Sequence, residues 1–335
     1  MIEWIRNRLA GPEVAVFHRF HAPPYGGGNQ FLLALVARLR RRGIDIREAS
    51  RVTRRTRACL FNSINFDPGW LKSLDGSACH KVHRIDGPIG TYRGTDNEVD
   101  RRIWKMNQDF ADVTILQSRY SLEAHAALEL DFRSPVVIPN AVDPALFHTL
   151  GRTPWDPARK TRLVSTSWSD NPAKGASTYK WIEDHLDWTR FEYTFIGRSP
   201  VKFDRIRTLE PLPSRPLAEE LRAHDVYVTA SRNDACSNAL LEALACGLPA
   251  LAVRSGGNPE LVKDGGALFD GTDDVLDKLG EIVTDYGRKQ SLIQLASLDD
   301  VADRYLSVLL PALPADRDAT PAVASAPDRS RSGGA

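Results

Sequence analysis

DVYVTASRNDACSNALLEALACGLPALAV, residues 225–253, opens with a run rich in β-branched and aromatic residues, DVYVTAS, that reads as a buried strand. After a polar loop comes NALLEALAC, a short helix closed by Gly247, and PALAV then reads as a second strand. Strand, helix and strand joined by short loops make a crossover unit, so the two strands run parallel in a sheet covered by helices. Two carboxylates interrupt this apolar stretch. Asp234 lies just past the first strand, and Glu242 stands inside the helix between Leu241 and Ala243, with seven residues separating the pair.

The same alternation extends outward on both sides. Towards the N-terminus of this half, TRLVSTSW and FEYTFIG read as strands, STYKWIEDHL and LAEELRAH as helices, and NPELVKDGGALF adds a helix and strand downstream. The first half repeats the pattern with the strand EVAVFHRF, the loop HAPPYGGGN, the helix QFLLALVARLRRRG ending at Gly43, and the strand IDIRE. KVHRIDGP and DVTILQS are further strands and SRYSLEAHAAL a helix, before SPVVIPNAVDPALF runs into prolines that mark a boundary. The expected architecture is α/β, with two doubly wound, Rossmann-like domains and a cleft between them. The expected bounds are 1–145 and 146–313. A terminal helix at 297–313 would pack back towards the first domain, and a disordered tail rich in Pro, Ala, Ser, Asp and Arg would cover 314–335.

Composition narrows the function classes. The 335 residues carry a formal net charge of +1, with 42% hydrophobic and 26% charged residues, so bulk charge gives no reason to expect nucleic acid as a partner. One local exception is residues 38–57, where nine arginines face only Asp45 and Glu48. That stretch reads either as a solvated face or as a contact for an anionic partner or a membrane surface. The four cysteines form no metal-type spacing, the start is too charged for a secretory leader, and no run is long enough to span a bilayer. A cytoplasmic location, with peripheral contact at the inner membrane face through the arginine stretch, is the expectation.

In open parallel sheets, ligands bind beyond the carboxyl ends of the strands. The helix that begins near Ser237 and Asn238 presents unpaired N–H groups and a positive dipole end, suited to a phosphate, and Glu242 about a turn further on can accept two hydrogen bonds from a diol such as a ribose. A Glu that merely caps or salt-bridges its helix is the alternative. Two more loops follow strands of the same half. SWSDNPAKG carries Lys174, a cation for the same phosphates; RSGGNPE carries Gly256 and Gly257, which allow close approach to a ligand, and Glu260 at a helix start. Three such loops at successive strand ends argue for a nucleoside-diphosphate site.

IPNAVDPALF, the Lys-Gly after the first strand of the second half, and the stretch 234–262 resemble family 4 of the retaining glycosyltransferases, which have the GT-B fold. That family's Glu, seven residues, Glu, then Ala-x-Ala-x-Gly-x-Pro is matched by Asp234, Glu242, Ala243, Ala245, Gly247 and Pro249. The resemblance implies that Glu242 binds the donor ribose, Asp234 the transferred sugar near its anomeric carbon, and Lys174 the leaving diphosphate. It places Gly26, Gly27 and Gly28 beneath the donor phosphates, and Gly197 and Leu212 against the nucleobase. Three departures stand out. Asp replaces the first Glu, and Ser169 replaces an Arg that usually helps Lys174, leaving Arg198, Arg232 or Arg254 to supply that charge. The family's usual first-domain His is replaced, so that His83 or Asp86 inherits its role.

The implied reaction moves a hexose-type sugar from a nucleotide-diphospho-sugar to an acceptor hydroxyl with retained configuration. No cofactor or metal is expected, since the one strict Asp-x-Asp, Asp316 and Asp318, lies in the tail. Saccharide, small-molecule and lipid-linked acceptors all remain open, read by loops that contain Tyr25, Trp70 and Tyr92. The rival readings are another GT-B enzyme (an epimerase or phosphorylase), a homologue that binds nucleotide without transfer, and a dinucleotide oxidoreductase using Gly26–Gly28 and Glu48.

Overall fold

The computed structural model describes residues 11–22 and 26–311. Tyr25, Asp316, Asp318 and the 314–335 stretch lie outside them. The first domain runs β1 (Val14–Phe17), α1 (Gly27–Arg41), β2 (Ile46–Glu48), β3 (Ala58–Asn62), a 3-10 turn, β4 (His80–Ile85), α2 (Ile89–Arg93), α3 (Glu98–Phe110), β5 (Val113–Leu116), α4 (Arg119–Ala126) and β6 (Pro135–Val137). The second opens with β7 (Thr161–Ser167), a 3-10 turn at Pro172–Lys174, α5 (Ala176–His185), β8 (Phe191–Gly197), β9 (Arg207–Leu209), α6 (Ser214–Ala223) and β10 (Val226–Thr229). It continues with α7 (Asn238–Ala245), β11 (Ala250–Val253), α8 (Asn258–Val262), β12 (Gly266–Phe269), α9 (Val275–Thr284), α10 (Tyr286–Ser291) and α11 (Leu298–Leu309).

Each domain holds one six-stranded sheet, in which every pairing is parallel, with the orders β2-β1-β3-β4-β5-β6 and β9-β8-β7-β10-β11-β12. In the second sheet the chain winds outward from β7 to one edge, then returns to place β10 on the other side of β7. That reversal opens a crevice at the carboxyl ends of β7 and β10, and in the first sheet the same reversal falls between β1 and β3. β10 and β11 pair in register from Tyr227 and Ala250, so the strand–helix–strand reading of 225–253 holds in three dimensions.

Two elements differ from expectation. ACLFN at β3 follows the arginine-rich stretch and carries no strand-like alternation, because all five residues are buried on both faces of a central strand. Two of the three glycines expected in a loop, Gly27 and Gly28, instead form the first turn of α1, with Gly26 preceding it as the cap residue. Their N–H groups therefore lie at the positive end of a fifteen-residue helix directed at the cleft.

The last helix returns to the first domain. Leu298, Val301, Ala302, Tyr305 and Leu309 of α11 share one core with Phe31, Leu32 and Leu35 of α1 and with Leu60 and Val82. Arg42 clasps Asp299 at 2.9 Å and also Asp303, and Arg38 lies 3.4 Å from Asp299. Arg40 donates to the Ile46 carbonyl at 2.7 Å and Arg57 pairs with Glu13 at 2.8 Å. Several arginines of the stretch are thus paired within the molecule. No helix among the described residues is long and apolar enough to cross a membrane.

Candidate active site in the interdomain cleft

At the crevice of the second sheet, Lys174 follows β7 and Asp234 follows β10. The Lys174 ammonium donates to Asp234 Oδ2 at 3.2 Å and to Ser231 Oγ at 3.3 Å. Burial alone would lower its pKa, but the Asp234 carboxylate beside it outweighs that and holds Lys174 above the usual lysine range. Its Nζ also lies 5.3 Å from the ring centroid of Tyr92, which the first domain sends across the cleft.

Glu242 faces an apolar recess walled by Thr166, Ile196, Gly197, Leu212, Leu217 and Gly27. Its carboxyl neither caps α7 nor joins a salt bridge, and it accepts no hydrogen bond from any described residue. Burial without a partner pushes its pKa up to about 8. An unpaired, half-buried carboxyl aimed into a recess is what a hydroxyl-bearing ligand would satisfy. Gly197 is required at the recess floor, where φ is 123° and a Cβ would meet the Ser167 carbonyl oxygen at 1.9 Å. Trp168, 39% exposed, stands between this recess and the Lys174 side of the cleft, and Arg198 stacks on it at 5.4 Å. Sequence reasoning passed over Trp168; the available signal was an aromatic residue immediately beyond a strand end.

The first domain closes the other side. Gly27 packs directly on Asn238, whose amide oxygen accepts from Asn140 at 3.2 Å, while Gly28 faces open space. Asp86 lies in the cleft, held by Arg84 at 3.0 Å and by the Gln117 amide. Arg84 itself is fully buried and donates further to Asn62 at 2.7 Å and Asn140 at 2.9 Å. Because side chains alternate along β4, His83 points the opposite way. It stacks on Phe61 with 4.2 Å between centroids, bonds Asn107 at 3.2 Å, and burial lowers its pKa to about 3. His83 is therefore a core residue, and Asp86 is the one that lines the cleft.

Other expected ligand contacts turn out to be internal. The Ser237 hydroxyl caps α7 by accepting from Leu240 N at 3.4 Å, so it supports the helix carrying Asn238 and Glu242. Gly256 and Gly257 press on the backbone of Asp234 and Ala235 rather than on a ligand, with Gly257 N donating to the Asp234 carbonyl at 2.8 Å. Glu260 reaches into the first domain and accepts from Arg119 N at 3.0 Å and Tyr120 N at 2.8 Å, capping α4 across the interface. Arg232 donates to the Asp270 carbonyl at 3.4 Å and Arg254 pairs with the Asp270 carboxylate at 3.0 Å, both away from the cleft. Trp70 packs edge-on to Phe17 at 5.8 Å in the first-domain core.

Two Rossmann-like domains with this cleft define a GT-B protein, and comparison with known proteins agrees. Residues 190–285 match the family described as Glycosyl transferases group 1. D-inositol 3-phosphate glycosyltransferase of Corynebacterium diphtheriae is 30% identical over 165 residues, covering 48% of this chain and 34% of the relative. The chain thus spans about a third of the length of that curated relative. Among solved structures, Anabaena HepE in complex with UDP and glucose superposes with a TM-score of 0.67 at 14% identity, over 90% of this chain and all of the other. The catalytic domain of starch synthase IV from Arabidopsis thaliana, bound to ADP and acarbose, gives 0.66 at 11% identity, over 89% and 99%.

Proposed function

We propose that the protein is a retaining glycosyltransferase that moves a hexose-type sugar from a nucleotide-diphospho-sugar to an acceptor hydroxyl, without a metal. The observation that carries this reading is Glu242, a partnerless, half-buried carboxyl in a recess at the strand ends of the second sheet, within the stretch that matches Glycosyl transferases group 1. Complexes of the GT-B neighbours with UDP or ADP support a nucleoside diphosphate as the shared ligand.

In this reading the base lies between Gly197 and Leu212, and the ribose hydroxyls bond Glu242. The diphosphate faces Lys174, the amides at the start of α7 and the first turn of α1. Asp234 contacts the sugar, and Asp86 orients the acceptor side. The acceptor oxygen bonds the anomeric carbon as the bond from that carbon to the phosphate oxygen breaks. The hydroxyl proton passes to the departing diphosphate on the same face. Lys174 stabilises the charge that develops there, the role a metal would otherwise take. Activity is accordingly expected to persist in excess EDTA.

The test is thermal stabilisation by UDP, GDP, ADP, TDP and NAD in parallel. One nucleoside diphosphate at a hundredfold excess over Kd should stabilise by about 2.7 kcal/mol, and Glu242→Ala should abolish the shift. Stabilisation by NAD alone, or by none of them, overturns the reading. A homologue that binds without transfer would show the shift yet release no nucleoside diphosphate from the corresponding nucleotide-sugar.

A further inference from the structure

The cleft between the two domains is lined by four charged side chains among the described residues: Asp86, Arg93, Lys174 and Asp234. Three of these are already balanced. Lys174 is paired with Asp234 at 3.2 Å, and Asp86 with the buried Arg84 behind it at 3.0 Å. Arg93 forms no hydrogen bond or ion pair with any described residue. It is the cleft cation left uncompensated. The second-domain arginines do not substitute for it: Arg232 and Arg254 are engaged at Asp270, and Arg198 lies on Trp168 outside this part of the cleft.

The segment that carries Arg93 is built to hold it still. Both carboxylate oxygens of the fully buried Asp100 accept from the first amides of α2, Ile89 at 2.7 Å and Gly90 at 2.8 Å. Gly90 is needed there, since a Cβ would meet the Asp96 carbonyl oxygen at 2.4 Å. From the far side of the cleft, the Asn171 amide donates to the Tyr92 carbonyl at 3.4 Å, and the Tyr92 ring lies against Lys174. The short helix is therefore anchored in one domain and docked on the other, with its last side chain, a guanidinium, turned into the cleft.

The geometry points to Arg93 as a phosphate ligand supplied by the first domain. It grips the diphosphate of the bound nucleotide opposite Lys174, so that the anion itself joins the two domains. This rests on the nucleotide-sugar reading above. A diphosphate brings at least two negative charges into a cleft whose Lys174 is already half-committed to Asp234, and a planar guanidinium can bond two of its oxygens at once. An anionic acceptor would present the same chemistry, and the measurement separates the two.

The experiment measures affinities of full-length wild type, Arg93→Gln and Arg93→Lys for UDP, GDP, ADP and TDP and for the matching nucleosides. The exposed Arg101→Gln serves as a charge-matched control. For the diphosphate that binds, Arg93→Gln should weaken affinity roughly tenfold or more. Arg93→Lys should recover part of that loss, while nucleoside affinity and the Arg101→Gln variant stay at wild-type values. Diphosphate affinity unchanged in Arg93→Gln overturns the assignment. If wild type binds none of the diphosphates, the transferase reading has failed and takes this assignment with it; if wild type binds and only Glu242→Ala fails to, the reading stands and Arg93 alone falls.

Discussion

Glu242 is placed in a recess where no group among the described residues hydrogen-bonds it, and its desolvation raises its pKa. A carboxyl whose pKa rises on folding favours the folded state while protonated. Stability is therefore fully present below the unfolded-state value near 4.5 and is lost as pH climbs through about 8. Glu242→Gln, which cannot ionise, should be more stable than wild type at pH 8.5 by more than about 1 kcal/mol, with the difference shrinking towards pH 4.5. Urea unfolding at the two pH values checks this; a pH-independent difference would mean that Glu242 is hydrated or paired. The sequence identified Glu242 and Lys174 as site candidates but not what each would touch. Spacing along a helix says which residues share its face, whereas the lack of a partner for Glu242 depends on walls contributed by β7, β8, α6 and α1.

At the scale of elements, buried polar groups set the orientation of the short helices that carry site residues. Asp100 holds α2, Ser237 holds α7, and Glu260 of the second domain holds α4 of the first. Removing the Asp100 carboxylate leaves two N–H groups without their acceptor, at about 1–3 kcal/mol each. Asp100→Ala is therefore expected to lower the unfolding midpoint and to weaken diphosphate binding through Arg93. Unchanged binding in a destabilised variant would show that α2 keeps its place without the clamp. These elements were unevenly legible. The strands β8 and β10 announce themselves because β-branched and aromatic residues cluster between turn signals, while β3 does not, since a central strand buried on both faces has no polar alternation to show. The start of α1 at Gly27 was hidden for a different reason. Glycines read as loop until a partner, here Asn238, presses too close for any Cβ.

Across the whole molecule, the last described helix packs in the domain that holds the first described strand. α11 covers the apolar faces of Leu32, Leu35 and Leu60, and its acids Asp299 and Asp303 hold Arg42. Ending the chain at residue 296 should expose that core. The expected result is loss of a single cooperative urea transition, or insolubility, whereas a truncation that unfolds like wild type would show that α11 contributes little. Arg42→Glu, which reverses one side of the clasp, should destabilise by a smaller amount, on the order of 1 kcal/mol for exposed pairs.

The sequence by itself determined the alternation of strand and helix, the two-domain parallel architecture and the positions of Asp234 and Lys174 just past strand ends and of Glu242 in the following helix, because those follow from local periodicity and from the rule that open parallel sheets bind ligands at their carboxyl edges. Only the tertiary structure decided that His83 turns into the core while Asp86 faces the cleft, that Glu260 clamps the opposite domain, and that, among the described residues, Arg93 is the cation lining the cleft without a partner. Each of those outcomes depends on which distant segment meets a side chain, and a charge acquires its role from its neighbours in space rather than along the chain.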